Sequence, residues 1–159
     1  MYITYQPIGI IHSPFTSLEQ MPIQPTGAAS APGTLEIFPE FAAGLQDLAG
    51  FSHIYLLYHL HQVRQARLQV TPFLDSQPRG IFATRAPSRP NPIGLSLVEL
   101  LRIEGSTLHV SRLDVLDGTP LLDIKPYIPE FEDPQDVRIG WLSEAKGQVR
   151  SQKSDDRFK

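Results

Sequence analysis

The chain has 159 residues, of which 41% are hydrophobic and 19% charged, and a formal net charge of −3. These values fit one globular domain with a substantial core and exclude global disorder. The chain has no cysteine, which excludes disulfides and thiolate metal sites. Its 15 prolines and 11 glycines disfavour a bundle of long helices and favour short strands joined by ordered loops.

The first residues, MYITYQPIGIIHSPF, do not resemble a secretory signal. They lack a positively charged region and a small-residue cleavage site, so no secretory signal is expected. The most apolar run, residues 54–60, contains a histidine and is too short to span a bilayer. We therefore expect a soluble cytoplasmic protein without membrane association.

The first third of the chain predicts two strands, a long loop and a brief helix. Residues 2–12 are rich in β-branched and aromatic side chains and predict a strand, whereas residues 16–33 predict a long loop. Residues 34–38 predict a short alternating strand. Phe41, Ala42, Leu45 and Leu48 fall at helical spacing, so residues 39–48 predict a helix that ends at Gly50.

Residues 51–62 show the strongest strand pattern in the chain. Alternation places one set on one face: His53, Tyr55, Leu57, His59 and His61. The other face holds the remaining set: Ile54, Leu56, Tyr58, Leu60 and Gln62. Both faces are largely apolar, which predicts a central strand.

The rest of the chain predicts further short strands. These are residues 81–84, 94–101 with an extension to 104, 107–113 and 121–124. Gly105-Ser106 and Asp117-Gly118 predict turns. Strands at this spacing indicate a sandwich or a barrel. We expect one domain over residues 1–142 and a polar, mobile tail over residues 143–159.

The run GIFATRAPSRPNPIGLSLVE, residues 80–99, contains three prolines, two arginines and an asparagine within eight residues. Each proline restricts its own backbone and that of the preceding residue, so the loop is stiff. Arg85, Arg89 and Asn91 are then held at defined angles, which suits binding of an anion or a carboxylate. The alternative is a rigid surface turn whose arginines pair with nearby acids to hold the fold.

Charge is unevenly distributed. Residues 64–112 contain seven arginines and three acids, whereas residues 113–136 contain seven acids and one lysine. The arginine-rich segment predicts either a nucleic-acid-binding face or a structural partner for the acidic segment.

Several residues could carry chemistry. His59 and His61 have a spacing that could share a metal, but no carboxylate lies at a fitting local position, so we expect hydrogen-bonded pocket residues and no metal. Asp114 interrupts an apolar strand and is expected to pair with an arginine or accept hydrogen bonds from a ligand. Asp117 fits a turn. The chain lacks the glycine-rich dinucleotide motif, the Walker loop, the nucleophile elbow and the zinc-deaminase pattern.

The chain resembles the TsaA-like (TrmO) family of S-adenosylmethionine-dependent tRNA methyltransferases. Four blocks carry the resemblance: IGIIHSPF (8–15), GLQDLAGFSHIYLLYHLHQ (44–62), GIFATRAPSRPNPIGLSLVEL (80–100) and LDVLDGTPLLDIKPYIP (113–129). The resemblance implies a mainly β fold, a small antiparallel barrel with a few short helices. It also implies a homodimer with the cofactor near the subunit interface. Longer family members carry an additional C-terminal domain, whereas a short polar segment follows Leu142 here.

The resemblance also implies the site. The positions matching the family's S-adenosyl-L-methionine contacts are Gln24, Pro25, His61, Gln62, Arg85, Leu95, Ser111, Arg112, Leu113 and Asp114. Arg85 suits the methionine carboxylate or a substrate phosphate, and Asp114 can accept from a ribose hydroxyl or an ammonium group. The cofactor's sulfonium is already activated, so alignment matters more than strong acid or base.

The implied substrate is N6-threonylcarbamoyladenosine at tRNA position 37, beside the anticodon. Its exocyclic nitrogen is a poor nucleophile until it loses a proton, so a base is expected, with Asp117 or Asp123 as candidates. Arg89, Asn91, Lys125 and Tyr127 are candidates for contacts with the anticodon stem-loop. Two alternatives stay open: the same barrel acting on a small molecule, and a non-catalytic dimer that binds S-adenosylmethionine or RNA.

Overall fold

The computed structural model describes residues 1–21, 31–73 and 75–145. The strands are β1 (Gly9–His12), β2 (Gly33–Ile37), β3 (His53–His59), β4 (Gln69–Val70), β5 (Arg79–Gly80), β6 (Ile93–Glu104), β7 (Thr107–Ser111) and β8 (Thr119–Pro126). Six of them form a closed barrel in the order β1-β2-β7-β6-β3-β8, with β8 returning to β1. β4 and β5 form a separate two-stranded hairpin.

Every strand pair in the barrel is antiparallel, so the mainly β, antiparallel barrel that was expected is confirmed. β3 pairs with β6 on one side and with β8 on the other, which confirms its central position. Gly105, at a φ of 62°, makes the tight turn of the β6–β7 hairpin. Closure of the barrel removes open sheet edges, which would otherwise invite aggregation.

Alternation along the strands fills the barrel interior. On β3, Ile54, Leu56 and Tyr58 point inward and are buried, whereas the outward residues His53 and Tyr55 are partly exposed. The other strands contribute inward aliphatic residues to the same core: Ile11, Leu35, Ile37, Val98, Leu100, Leu108, Val110 and Leu121. Each buried aliphatic side chain contributes about 1.5–3 kcal/mol, so this core is the main source of stability.

Several predicted elements are wrong in extent or type. The strands predicted over residues 51–62 and 107–113 end earlier, at His59 and Ser111. The strand predicted over residues 2–12 begins only at Gly9, and the side chains of Tyr2 and Ile3 are exposed. The helix predicted over residues 39–48 is two 3-10 helices, Pro39–Leu45 and Leu48–Gly50, because Asp47 between them adopts a left-handed φ of 68°. The strand predicted over residues 81–84 is a 3-10 turn, Ile81–Ala83.

The last described segment packs against the proline-rich loop that carries Arg85 and Arg89. A 3-10 helix, Gly140–Ala145, crosses the boundary that we predicted at residue 142. The indole Nε1 of Trp141 donates to the carbonyl of Ala83 at 2.9 Å, and the Arg79 guanidinium lies 5.8 Å from the indole centroid. Most of the predicted mobile tail, residues 146–159, lies outside the described residues. Within the described ranges no helix has the length and apolar character that crossing a membrane requires.

Candidate functional site

A cleft opens at the end of β3, where the chain turns out of the barrel wall. Its apolar walls include Leu18, Leu60 and Leu116, and Pro87 of the proline-rich loop also lines it. Its polar lining consists of Tyr58, His61, Gln62, Asp114 and Thr119. The cleft therefore suits a ligand with an apolar body and a few hydrogen-bonding or positively charged groups.

Asp114 is the carboxylate among the residues that line the cleft. It lies in the connection between β7 and β8, and its Oδ1 accepts a hydrogen bond from Ser96 Oγ at 2.5 Å. The Tyr58 hydroxyl lies 2.8 Å from the same Ser96 oxygen. Burial raises the pKa of Asp114 to about 6, and the Ser96 hydrogen bond and the Arg85 charge oppose that rise. Burial, then the charge of Asp114, likewise raises the pKa of Tyr58.

His61 occupies the first turn after β3. Its Nδ1 lies 3.4 Å from Thr119 Oγ1, and that hydroxyl donates to the Leu116 carbonyl at 2.6 Å. Because the threonine proton is already committed, a hydrogen bond between these two groups requires the tautomer in which His61 Nδ1 carries the proton and Nε2 can accept. Burial, with a smaller effect of His59, lowers the pKa of His61, so the imidazole is neutral near pH 7.

Arg85 is the exposed arginine of the proline-rich loop. Burial raises the pKa values of Tyr55, Tyr58 and Asp114, and the Arg85 charge opposes that rise in all three, although Arg85 is not itself among the residues that line the cleft. Within residues 1–21, 31–73 and 75–145 its side chain makes no hydrogen bond or ion pair with another side chain or carbonyl. It is therefore available for an anionic ligand.

Arg89 has a different role in the same loop. Its Nη1 donates to three backbone carbonyls, those of Ile81 at 3.1 Å, Thr84 at 2.8 Å and Ala86 at 3.2 Å. The guanidinium also lies 5.9 Å from the Phe82 ring centroid. These contacts favour the structural alternative for Arg89, with backbone carbonyls as partners instead of the acids that we expected. They also explain why residues 81–84 curl instead of extending.

The comparison with known families follows the same stretch of chain. The model of the tRNA-methyltransferase O N-terminal domain, TrmO_N, matches residues 10–133. The chain belongs to the TrmO family. The match covers all six barrel strands except the first residue of β1, together with the cleft and the proline-rich loop.

Individual relatives and solved structures agree with the family. A Pyrococcus abyssi protein named "Probable S-adenosyl-L-methionine-binding protein" is 50% identical over 158 residues, 99% of this chain and 86% of its own. The human tRNA (adenine(37)-N6)-methyltransferase is 37% identical over 140 residues, 83% of this chain and 32% of its own. A crystal structure of TrmO from Pseudomonas aeruginosa superposes with a TM-score of 0.74 at 42% identity, covering 89% of this chain and 62% of its own.

The TrmO-family positions expected to contact the cofactor fall in several places. His61, Gln62 and Asp114 meet at the cleft, with Arg85 close by. Leu95 lies on the outer face of β6, 52% exposed, opposite Leu57 of β3. Gln24 and Pro25 lie outside the described residues.

The remaining three cofactor positions surround the end of β7. Ser111 Oγ donates to Glu99 Oε2 at 2.9 Å, and Arg112 adopts a left-handed φ of 63°. Leu113 is fully buried, and its N–H donates to the Ala31 carbonyl at 3.2 Å. The left-handed residue redirects the chain from β7, so that Leu113 enters the core and Asp114 reaches the cleft.

The two candidate bases lie away from the cleft lining. Asp117 accepts a hydrogen bond from the Ser13 N–H at 3.0 Å, which fits its predicted role in the turn. Asp123 accepts from the Ile124 N–H at 2.9 Å and pairs with Lys125 at 3.1 Å. A bulge opposite Leu57 and Tyr58 turns Asp123 to the outer face. Neither carboxylate is among the groups that line the cleft.

The candidate RNA contacts lie mostly on the barrel exterior. Tyr127 packs edge-on against His53 and Tyr55, with ring centroids 6.4 and 5.9 Å apart. Lys125 and Asn91 are exposed. These positions are accessible to a substrate, and their binding role stays a prediction.

Within the described part of the chain, neither His59 nor His61 belongs to a group that could hold a metal ion. β3 ends at His59, which is exposed, whereas His61 turns into the cleft. Among the residues that the structure describes, no three histidine, aspartate or glutamate side chains form a group that could hold a metal ion.

Sequence reasoning missed Ser96, Tyr58 and Thr119 as members of the site. Ser96 is a polar residue at an inward position of β6 and is 1% exposed. A polar side chain in the inward register of an apolar strand requires a buried partner, and this signal was available in the sequence. The identity of that partner depended on how β3, β6 and the β7–β8 connection meet.

Proposed function

We propose that this chain is an S-adenosyl-L-methionine-dependent methyltransferase that acts on the N6 nitrogen of adenosine 37 in tRNA. The observation that carries the proposal is the convergence of His61, Gln62 and Asp114 on one largely apolar cleft, with the charge of Arg85 acting on Asp114. The human relative named for that reaction, the archaeal relative named for cofactor binding and the family match support it.

The residues at the cleft fit this cofactor chemically. S-adenosylmethionine carries a sulfonium, an ammonium and a carboxylate, together with an adenosine. The leucine walls suit the adenine ring, and the Asp114 carboxylate suits a cationic group or ribose hydroxyls. Arg85 suits the cofactor's carboxylate. When bound, the cofactor supplies an activated methyl group, and the chain's own residues need to orient the partners and exclude water.

We further propose that the acceptor is N6-threonylcarbamoyladenosine. Its nitrogen belongs to a ureido group and must lose a proton as it accepts the methyl group. Two groups at the cleft can take a proton: the Asp114 carboxylate and Nε2 of the neutral His61. They replace Asp117 and Asp123 as the candidate bases, because those two side chains lie outside the cleft lining.

The proposed active form is a homodimer. β6 exposes three large apolar side chains on the barrel exterior, Ile93, Leu95 and Leu101, which are 41%, 52% and 51% exposed. An apolar stripe on a sheet face suits burial against a second copy. Leu95 on this stripe could then contact a cofactor near the subunit interface, which is where the family resemblance puts it.

The proposed tRNA contact is electrostatic. The chain as a whole is acidic, so attraction for a polyanion depends on the arginine-rich segment. Arg64, Arg67, Arg85 and Arg102 are exposed, and a twofold axis would bring two such sets together. Binding of an anticodon stem-loop is therefore expected to weaken steeply as the salt concentration rises.

The test uses purified protein, S-adenosylmethionine and two tRNA preparations, one with and one without the threonylcarbamoyl modification. Mass spectrometry of the digested nucleosides should show one added methyl group on N6-threonylcarbamoyladenosine only. Methylation of unmodified adenosine would keep the enzyme class and reject the modified substrate. Cofactor binding without methylation of either tRNA would favour the small-molecule or non-catalytic alternatives.

A further inference from the structure

We propose that Tyr58 and Ser96 are positioning residues for Asp114, whose carboxylate their buried hydroxyls hold ionised at the cleft wall to receive a donor group of the cofactor. This inference rests on the proposed use of S-adenosylmethionine. It adds two residues that contribute through Asp114.

The two hydrogen bonds that connect Tyr58, Ser96 and Asp114 run in one direction. An ionised carboxylate can only accept, so Ser96 donates its single hydroxyl proton to Asp114 Oδ1 at 2.5 Å. Ser96 then has no proton left for Tyr58, so the Tyr58 hydroxyl donates to Ser96 Oγ at 2.8 Å. Tyr58 and Ser96 are only 6% and 1% exposed, which keeps water from replacing either bond.

Tyr58 and Ser96 are carried by two paired strands of the barrel. Tyr58 pairs with Gly94 and Leu56 pairs with Ser96 across β3 and β6, so the register of these strands sets both hydroxyls. A side chain at position 94 would overlap the Tyr58 ring, because an ideal Cβ there lies 2.0 Å from Tyr58 Cε2. Gly94 therefore gives the ring its place, and the strand pairing gives the hydroxyls their orientation.

Asp114 retains capacity for a ligand. A carboxylate offers about four acceptor positions, and Ser96 occupies one of them. Among the described residues, the charged or titratable groups that act on Asp114 or line the cleft with it are Tyr58 of β3, His61 after β3 and Arg85 of the loop, whereas β8 contributes the uncharged Thr119. Burial favours the protonated carboxyl. The Ser96 hydrogen bond, and after it the Arg85 charge, favour the ionised carboxylate instead.

Loss of the Ser96 hydroxyl should therefore change how Asp114 titrates. One charge-assisted hydrogen bond corresponds to about a tenfold change in the acid dissociation constant. Starting from a pKa of about 6, the ionised fraction at pH 6.5 would fall from about three quarters to about one quarter. Cofactor affinity should fall about threefold at pH 6.5 and hardly at all, through this cause, at pH 8.5.

The first measurement is the pH titration of the Asp114 carboxyl by carbon-13 NMR without cofactor, with Asp114→Asn to assign the signal. The variants are Ser96→Ala, Tyr58→Phe and the two combined. The titration midpoint should move to higher pH in Ser96→Ala and less far in Tyr58→Phe. The double variant should match Ser96→Ala, because Tyr58 acts on Asp114 only through Ser96. Ser106→Ala and Tyr5→Phe, both remote from the cleft, should leave the midpoint unchanged.

The second measurement is calorimetric titration with S-adenosylmethionine at pH 6.5 and 8.5. If Ser96→Ala loses more cofactor affinity at pH 6.5 than at pH 8.5, the proposal is supported. An equal loss of affinity at both pH values indicates general disruption of the site and overturns the proposal. An unmoved NMR midpoint, or additive effects in the double variant, also overturns it while leaving the proposed function intact. No binding by the unmodified protein at pH 8.5 rejects the proposed cofactor instead, and the positioning role with it. If Ser96→Ala does not fold, Tyr58→Phe, which keeps the ring, decides alone.

Discussion

The phenol ring of Tyr58 lies against Gly94, its partner across β3 and β6. An ideal Cβ at position 94 would stand 2.0 Å from Tyr58 Cε2 and 2.4 Å from Cζ. The ring thus occupies the space that any other residue's side chain would need. The hydroxyl of the same ring reaches Ser96, two residues further along β6. One glycine therefore connects the packing of the barrel with the polar side of the cleft.

Gly94→Ala should displace the Tyr58 ring and break its bond to Ser96. We expect destabilisation of about 1–3 kcal/mol from overpacking, visible as a lower melting temperature. Gly44→Ala is the matched control, because nothing lies within 4 Å of a Cβ at that position. Its effect should stay within about 0.5 kcal/mol. Equal melting temperatures for both variants would contradict the packing described here.

Asp114→Asn should stabilise the protein while weakening cofactor binding. The folded state raises the pKa of Asp114 from 3.8 to about 6, so the folded chain holds this proton more tightly than the unfolded chain. This contribution to stability is fully present below pH 3.8 and is lost as the pH rises through about 6. Above that range the buried charge costs up to about 3 kcal/mol, which an uncharged asparagine avoids.

We therefore expect Asp114→Asn to melt higher than the unmodified protein at pH 8, with a smaller difference at pH 4. Cofactor affinity at pH 8 should fall about ten- to a hundredfold, the effect of losing a charge-assisted hydrogen bond. Thermal melts at the two pH values and calorimetry test these two effects separately. A lower melting temperature at pH 8 would mean that the carboxylate is needed to hold the fold.

Arg85→Ala and Arg89→Ala should separate binding from stability within one loop. Arg85 makes no side-chain hydrogen bond with described residues, so its removal should leave the melting temperature unchanged and weaken cofactor binding about ten- to a hundredfold. Arg89 holds three carbonyls, so its removal should destabilise the protein by about 1.5–3 kcal/mol. The reverse pattern would assign Arg89 to the ligand and Arg85 to the fold.

The only tryptophan of the chain, Trp141, should report on the same loop. Its indole donates to the Ala83 carbonyl, two residues before Arg85. We expect saturating S-adenosylmethionine to change the tryptophan emission, and Arg85→Ala to require a correspondingly higher concentration for the same change. Trp141→Phe should lose the signal and about 0.5–1.5 kcal/mol of stability, while calorimetry still detects binding. Constant emission at concentrations where calorimetry shows saturation would contradict the coupling.

The sequence predicted local features well where one cause dominated. Alternation predicted the inward and outward faces of β3 correctly over residues 53–59, because the side-chain period of a strand is fixed by its backbone. It failed beyond His59, where the strand ends and both His61 and Gln62 line the cleft. Residues 39–48 show the limit, since a helical spacing of apolar residues did not prevent Asp47 from taking a left-handed conformation. Residues 81–84 look like a strand, but Arg89, five residues later, binds their carbonyls and curls them.

The candidate site divides in the same way. The sequence by itself predicted the alternation of β3 and the stiffness of the proline-rich loop, because these follow from local periodicity and composition. Its resemblance to the TrmO family implied the barrel and the cofactor positions His61, Gln62, Arg85 and Asp114. Only the tertiary structure decided that Ser96 and Tyr58 support Asp114, that Arg89 holds the loop, and that Asp117 and Asp123 face away from the cleft. Those relationships depend on strand register and on one bulge in β8, which join residues far apart in the chain and leave no local pattern in the sequence.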